Sequence, residues 1–101
     1  MEKEKRPIAV IGATGSVGNS VLGVCAALAG TFDVWALAAN TSVDALIRLG
    51  MIFGSRFLVL ADPLGARVMK QRAPEGVCCL SGIQGIMEII EHPECDEVVF
   101  A

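Results

Sequence analysis

The stretch Ile8–Gly18, IAVIGATGSVG, constrains this chain more than any other: an apolar run, three glycines at spacing three and three, then a helical pattern. An unbroken apolar run of this kind reads as a strand buried on both faces. The glycines turn that strand into a helix whose first turn carries unpaired backbone N–H groups and the positive end of the helix dipole. In such a unit Gly12 makes the tight turn, Gly15 lets a pyrophosphate approach, and Gly18 lets the helix pack on the strand. Thr14 and Ser16 add hydroxyl donors. The spacing is G-x-x-G-x-x-G rather than the standard G-x-G-x-x-G, and a glycine-rich turn with no ligand is the plainer alternative. The strand before and the helix after supply the context that dinucleotide binding requires.

The same alternation continues to the end of the chain. Val17, Val21, Val24, Cys25 and Leu28 recur at helical spacing and predict one apolar stripe, ended by Ala29-Gly30-Thr31. Val34–Ala39 (VWALAA) reads as a second buried strand. Thr41 or Ser42 can cap a second helix with Val43, Leu46 and Ile47 inward. Phe57–Leu60 is a third strand, and Asp62-Pro63 offers an N-cap and a first-turn proline for a helix through about Gln71. Val77–Leu80 is a short fourth strand, and Ser81 caps a helix whose inner face is Ile83, Ile86, Met87 and Ile90. Val98–Ala101 begins a fifth strand. Five strands alternating with four helices predict an α/β fold, a Rossmann-like parallel sheet with right-handed crossovers and helices on both faces. The chain stops inside that last strand, so residues 1–101 are expected to be a dinucleotide-binding domain cut from a longer, multidomain enzyme.

Hydrophobic residues make up 53% of the chain and charged residues 19%. That composition fills a core and leaves apolar surface for a second domain or subunit. The net charge of −3 and the lack of a basic face interleaved with aromatics argue against nucleic-acid binding. No run is long enough to cross a membrane, and the charged start MEKEKR is not a signal peptide; the chain reads as soluble and cytoplasmic. Cys25, Cys78, Cys79 and Cys95 form no C-x-x-C pair and are expected to be buried, reduced thiols. His92 reads as a solvated residue at a helix end. With no converging ligands, no metal site is expected in these residues.

Dinucleotide folds that take NAD place an acid at the end of the second strand, for the ribose hydroxyls. Here that position reads Ala39-Asn40-Thr41-Ser42. The missing carboxylate leans to NADP, although no Lys or Arg occupies positions 40–42 either. Arg48 lies four residues after Asp44 and is expected to be its surface partner. Glu88, Glu91, Glu94, Asp96 and Glu97 form an acidic run that reads as a solvated face, because it precedes the fifth strand and lies at the edge opposite to the ligand-binding one. No acid, base or nucleophile is placed near the glycine turn, so no catalytic residue is assigned.

The opening IAVIGATGSVGNSVL resembles that of 1-deoxy-D-xylulose 5-phosphate reductoisomerase, whose first loop reads G-x-T-G-S-[IV]-G. The similarity runs on through VWALAANTSVDALI, FLVLAD, CLSGIQGIMEI and HPECDEVVFA. The combination of TGSVG, LSGxxG and CDEVVxA is far more specific than the glycines alone. The resemblance implies an NADPH-dependent enzyme of the non-mevalonate isoprenoid route that rearranges and reduces a sugar phosphate, uses Mg or Mn, and works as a homodimer. It implies that Thr14, Gly15, Ser16 and Val17 line the NADPH phosphates, beside Gly12 and Gly18. It further implies that Asn40, Thr41 and Ser42 meet the adenosine ribose and its 2′-phosphate. At Thr41 and Ser42 the chain departs from the family, which commonly has a basic residue and Asn there. The family's ANKE-type motif, metal carboxylates and substrate loop lie beyond this sequence, so the chain alone is expected to be inactive. Two other readings stay open: a semialdehyde-dehydrogenase-like oxidoreductase, whose loop also reads GATGxVG, and a stand-alone nucleotide-sensing module.

Overall fold

A computed structural model describes residues 5–101; the first four residues of the charged MEKEKR start lie outside them. The strands are β1 (Arg6–Ile11), β2 (Phe32–Ala39), β3 (Phe57–Leu60), β4 (Cys78–Ser81) and β5 (Glu97–Phe100). The helices α1 (Ser16–Ala27), α2 (Val43–Phe53), α3 (Pro63–Arg72) and α4 (Gly82–Glu91) alternate with them. All pairings are parallel, in the order β4-β3-β2-β1-β5. The chain therefore walks outward from β1 to β4 and then crosses back over the sheet to lay β5 on the other side of β1. That reversal is a topological switch point, and the crevice it opens lies at the carboxyl end of β1.

The sheet separates two cores. On one face Ile8, Val10, Val34, Leu37, Leu58 and Leu60 meet Leu22 and Cys25 of α1, Leu46 of α2 and Met69 of α3. On the other, Ala9, Trp35, Ala36, Ala38 and Val59 meet Ile89 of α4. β2 is the spine of both, with Val34–Ala39 buried throughout, as a strand covered on both faces should be. Trp35 and Ala36 share a face because the β1–β2 register steps from Ile8↔Val34 to Ala9↔Ala36, a bulge that inserts Trp35. No helix among the described residues is long and apolar enough to cross a membrane.

Two helices turn differently from the sequence expectation, for one reason. The inner face of α1 is Gly18, Leu22 and Cys25; Val17, Val24 and Leu28 are exposed at 60%, 57% and 47%. In α4 the buried residues are Gly85 and Ile89, while Ile83 and Met87 are 71% and 44% exposed. α1 has only a weak polar face, and in α4 Ile83 and Met87 flank the polar stripe of Gln84, Glu88 and Glu91, so apolar residues alone leave the inner face open. A glycine fixes it, because the helix approaches closest where no Cβ intervenes. A Cβ on Gly85 would meet Leu80 Cβ at 2.8 Å and Val59 Cγ1 at 3.0 Å.

Other local expectations divide. Asp62 caps α3, its Oδ2 accepting the Gly65 N–H at 3.0 Å, with Pro63 in the first turn. Ser42 and Ser81 stand at the N-caps of α2 and α4, yet neither side chain makes a capping bond. Cys25 is buried, but Cys79 on the edge strand β4 and Cys95 in the loop before β5 are only half-buried, and Cys78, also on β4, is exposed; all four are free thiols. His92 is not a solvated helix end. Its ring packs on Trp35 at 4.7 Å and on Phe57 at 5.4 Å, and its Nδ1 accepts the Glu94 N–H at 3.0 Å.

Candidate functional site at the carboxyl end of the sheet

The glycine loop leaves β1 at the switch point and is tied down on both sides. The N–H groups of Gly12 and Ala13 both donate to Ala38 O at 2.9 Å, anchoring the loop to β2. Ala101 N–H donates to Ile11 O at 2.8 Å, bringing the chain after β5 against the loop. The three glycines then differ sharply. Gly12 has φ 84°, in the left-handed region, and a Cβ there would lie 2.8 Å from Ala101 O. A Cβ on Gly18 would meet Gly12 O at 2.2 Å and the Ala13 backbone at 2.8 Å, so α1 can rest on the loop only through glycine. Gly15 is the exception. Its backbone is extended, it is exposed, and the nearest atom to an added Cβ is Gly12 O at an ordinary 3.6 Å.

Fold and packing therefore account for Gly12 and Gly18 but not for Gly15, the N-cap of α1. Beyond it, the N–H groups of Ser16, Val17 and Gly18 have no acceptor within the helix, no side chain caps them, and no acid stands in the first turn. The helix dipole adds a positive partial charge at this point. The arrangement fits a phosphate, with Thr14 half-buried in the loop and Ser16 and Val17 exposed at the start of the helix.

The second arm follows β2. Asn40, Thr41 and Ser42 are all exposed. The loop is braced from β3, since Ala61 N–H donates to Ala39 O and Asp62 N–H to Asn40 O, each at 3.0 Å. Between the two arms lies a cleft of about 210 Å³ walled by Ile11, Gly12, Ala38, Ala39, Asn40 and Ala61, with Ile86 of α4 closing it. Larger openings, about 440 Å³ beside β4 and about 300 Å³ below Gly50, lie away from the glycine loop. Volume does not mark this site; converging backbone donors do.

Asp44 is the acid in the first turn of α2. Its partner is not Arg48 but Arg72, at the end of α3, whose Nη1 donates to Asp44 Oδ1 at 2.6 Å. α2 and α3 pack side by side, and a neighbouring helix outcompetes a partner on the same one. The alanine walls and Ile86 line the candidate cleft, and sequence reasoning missed them. The small side chains ending VWALAA were the one visible signal.

The acidic run lies elsewhere. Asp96 N–H donates to Pro7 O at 2.9 Å, placing this segment beside the amino end of β1. Arg6 bonds Asp96 Oδ2 at 2.7 Å and approaches Glu97 Oε1 at 3.5 Å, and these carboxylates hold its guanidinium pKa above the ordinary value. Among the described residues no three His, Cys, Asp or Glu side chains converge to hold a metal, so they do not fit a divalent cation. Burial raises the pKa of Cys25, Cys79 and Cys95, and for Cys79 the nearby Lys70 only partly opposes it.

A protein 40% identical over 91 residues is the 1-deoxy-D-xylulose 5-phosphate reductoisomerase of Rhodopseudomonas palustris, with 87% of this chain aligned to 22% of that one. The protein of the same name from Nitrobacter hamburgensis is 36% identical, covering 92% of this chain and 23% of the relative. Among solved structures, a DOX-P reductoisomerase in complex with NADPH, fosmidomycin and magnesium superposes with a TM-score of 0.87 at 28% identity, over 92% of this chain and 23% of that one. The reductoisomerase from Zymomonas mobilis in complex with NADPH gives 0.78 at 30% identity, over 84% and 23%. The chain thus spans under a quarter of the length of these relatives. With the family model for 1-deoxy-D-xylulose 5-phosphate reductoisomerase matching residues 8–101, the chain belongs to that family.

Proposed function

We propose that this chain is the NADPH-binding unit of a 1-deoxy-D-xylulose 5-phosphate reductoisomerase, holding the hydride donor for the reductive rearrangement of a sugar phosphate. The observation that carries the reading is Gly15. It is the one loop glycine that neither φ nor packing demands, and it stands at the N-cap of α1, beside the free N–H groups of the first turn. In this reading Gly12 and Gly18 shape the loop while Thr14, Gly15, Ser16 and Val17 bind the pyrophosphate. Asn40, Thr41 and Ser42 receive the adenosine ribose with its 2′-phosphate, and the alanine-walled cleft excludes water from the nucleotide's apolar side.

NADPH, once bound, supplies the hydride; the chain's part is to bind and orient it. The remaining features belong to the same proposal: a cytoplasmic homodimeric enzyme whose Mg or Mn ligands and sugar-phosphate contacts come from outside these residues. The reading is supported by the NADPH and magnesium complexes among the superposing structures. Calorimetric titration of the purified chain tests it. NADPH binding with 1:1 stoichiometry is expected, together with no turnover of 1-deoxy-D-xylulose 5-phosphate. Tighter binding of NADH would sink the cofactor assignment, and turnover would sink the division of labour.

A further inference from the structure

We propose that Arg72 reads the cofactor's 2′-phosphate in this chain, an assignment that rests on the NADPH reading above. The turn after β2 carries no cation: Asn40, Thr41 and Ser42 offer only neutral donors. A 2′-phosphate brought to that turn meets a negative charge two residues further on, the carboxylate of Asp44 in the first turn of α2. Left bare, that acid would repel the phosphate and favour a cofactor without one. It is not bare. The Arg72 guanidinium reaches across from the end of α3 and bonds it at 2.6 Å through Nη1.

A guanidinium has five N–H donors in a planar fork, and the bond to Asp44 uses one Nη. The remaining donors are available to a phosphate, and both side chains are well exposed, at 58% and 76%, so the pair can reorient at little cost. Arg72 thus offsets the Asp44 charge and presents its remaining N–H donors to the phosphate, from a different helix from the turn itself. Among the described cations on α2 and α3, Arg67 and Lys70 line the groove beside β4, and Arg72 rather than Arg48 is paired with Asp44.

The test is calorimetric titration of the chain and its variants with NADPH, NADH, adenosine 2′,5′-bisphosphate and AMP. Arg72→Gln should weaken NADPH and the bisphosphate by roughly tenfold or more, leaving NADH and AMP within about twofold. Arg72→Lys should restore part of the loss, and Arg48→Gln should change no affinity. Thermal melts confirm that each variant is folded. Equal losses for NADPH and NADH would assign Arg72 a merely structural role, and an unchanged NADPH:NADH ratio would overturn the proposal. If the unmodified chain binds neither nucleotide, the cofactor reading fails and takes this assignment with it. If it binds NADPH and only the Arg72 series is flat, this assignment fails alone.

Discussion

The two ends of the sheet are built from opposite materials. At the amino end, β2 and β3 contribute Trp35 and Phe57, whose rings lie 4.7 Å apart, and His92 packs against both. Ser55 is buried there and donates its hydroxyl to Val34 O at 2.6 Å. At the carboxyl end β2 finishes in Ala38 and Ala39, Ala61 follows β3, and the glycine loop follows β1, with helix N–H groups left open. One end is filled with bulk and closed by stacking; the other is lined by small side chains and open backbone N–H groups. Stability and binding are therefore mutable separately, although the two ends share every strand.

Substitutions that empty the amino end should produce the largest effects. Trp35→Ala removes the largest fully buried side chain and should cost about 3–5 kcal/mol in urea denaturation followed by circular dichroism. Part of that loss is offset, since the indole N–H of Trp35 is buried without a partner among the described residues. A loss of nucleotide affinity in the folded Trp35→Ala chain would break the separation of the two ends. Gly18→Ala, a loop change that acts on folding, comes next. Its Cβ would strike backbone at 2.2 Å, so a destabilisation of about 2–3 kcal/mol is expected in the same assay. His92→Ala should cost about 1 kcal/mol, because it leaves the Trp35–Phe57 pair in place and removes only the outer ring.

A smaller effect concerns pH. Burial raises the thiol pKa of Cys25, so the folded chain holds that proton more tightly than the unfolded one. Its contribution is complete at neutral pH and declines once pH passes the ordinary thiol value of about 8.5, where the unfolded chain ionises first. Cys25→Ala should make the alkaline fall in stability shallower, as measured by melts between neutral pH and the alkaline limit.

Much of the fold and part of the site could be read from residues alone, and the divide is physical. β3 runs over the expected Phe57–Leu60 because a short apolar run between loops has one interpretation. α3 begins at Pro63 because Asp-Pro specifies both its cap and its first turn. The phase of α1 is not legible, since its valines compete on a helix with little polar face, and in α4 the apolar stripe is wider than the face that packs, leaving Ile83 and Met87 beside Gln84, Glu88 and Glu91. The outcome rested on Gly18 and Gly85, whose effect depends on what lies opposite. The glycine loop could be located because its pattern is local. Arg72 and Ile86 could not, for they arrive from distant segments and are ordinary residues of helices in the sequence. His92 was misjudged for the same reason: a helix-end histidine looks solvated until the tertiary fold brings Trp35 and Phe57 beneath it.

Gly15 is where the central claim is most exposed, because it asserts that one glycine serves the ligand rather than the fold. The decisive measurement is NADPH titration of Gly15→Val alongside its thermal melt. A Cβ at this position meets nothing closer than 3.6 Å, so the folded state should keep its stability to within about 1 kcal/mol. NADPH affinity should fall at least tenfold, about 1.4 kcal/mol or more, as the added side chain occupies the phosphate's approach. Unchanged affinity in a stable Gly15→Val chain would contradict the account and return the loop to a simple turn between strand and helix.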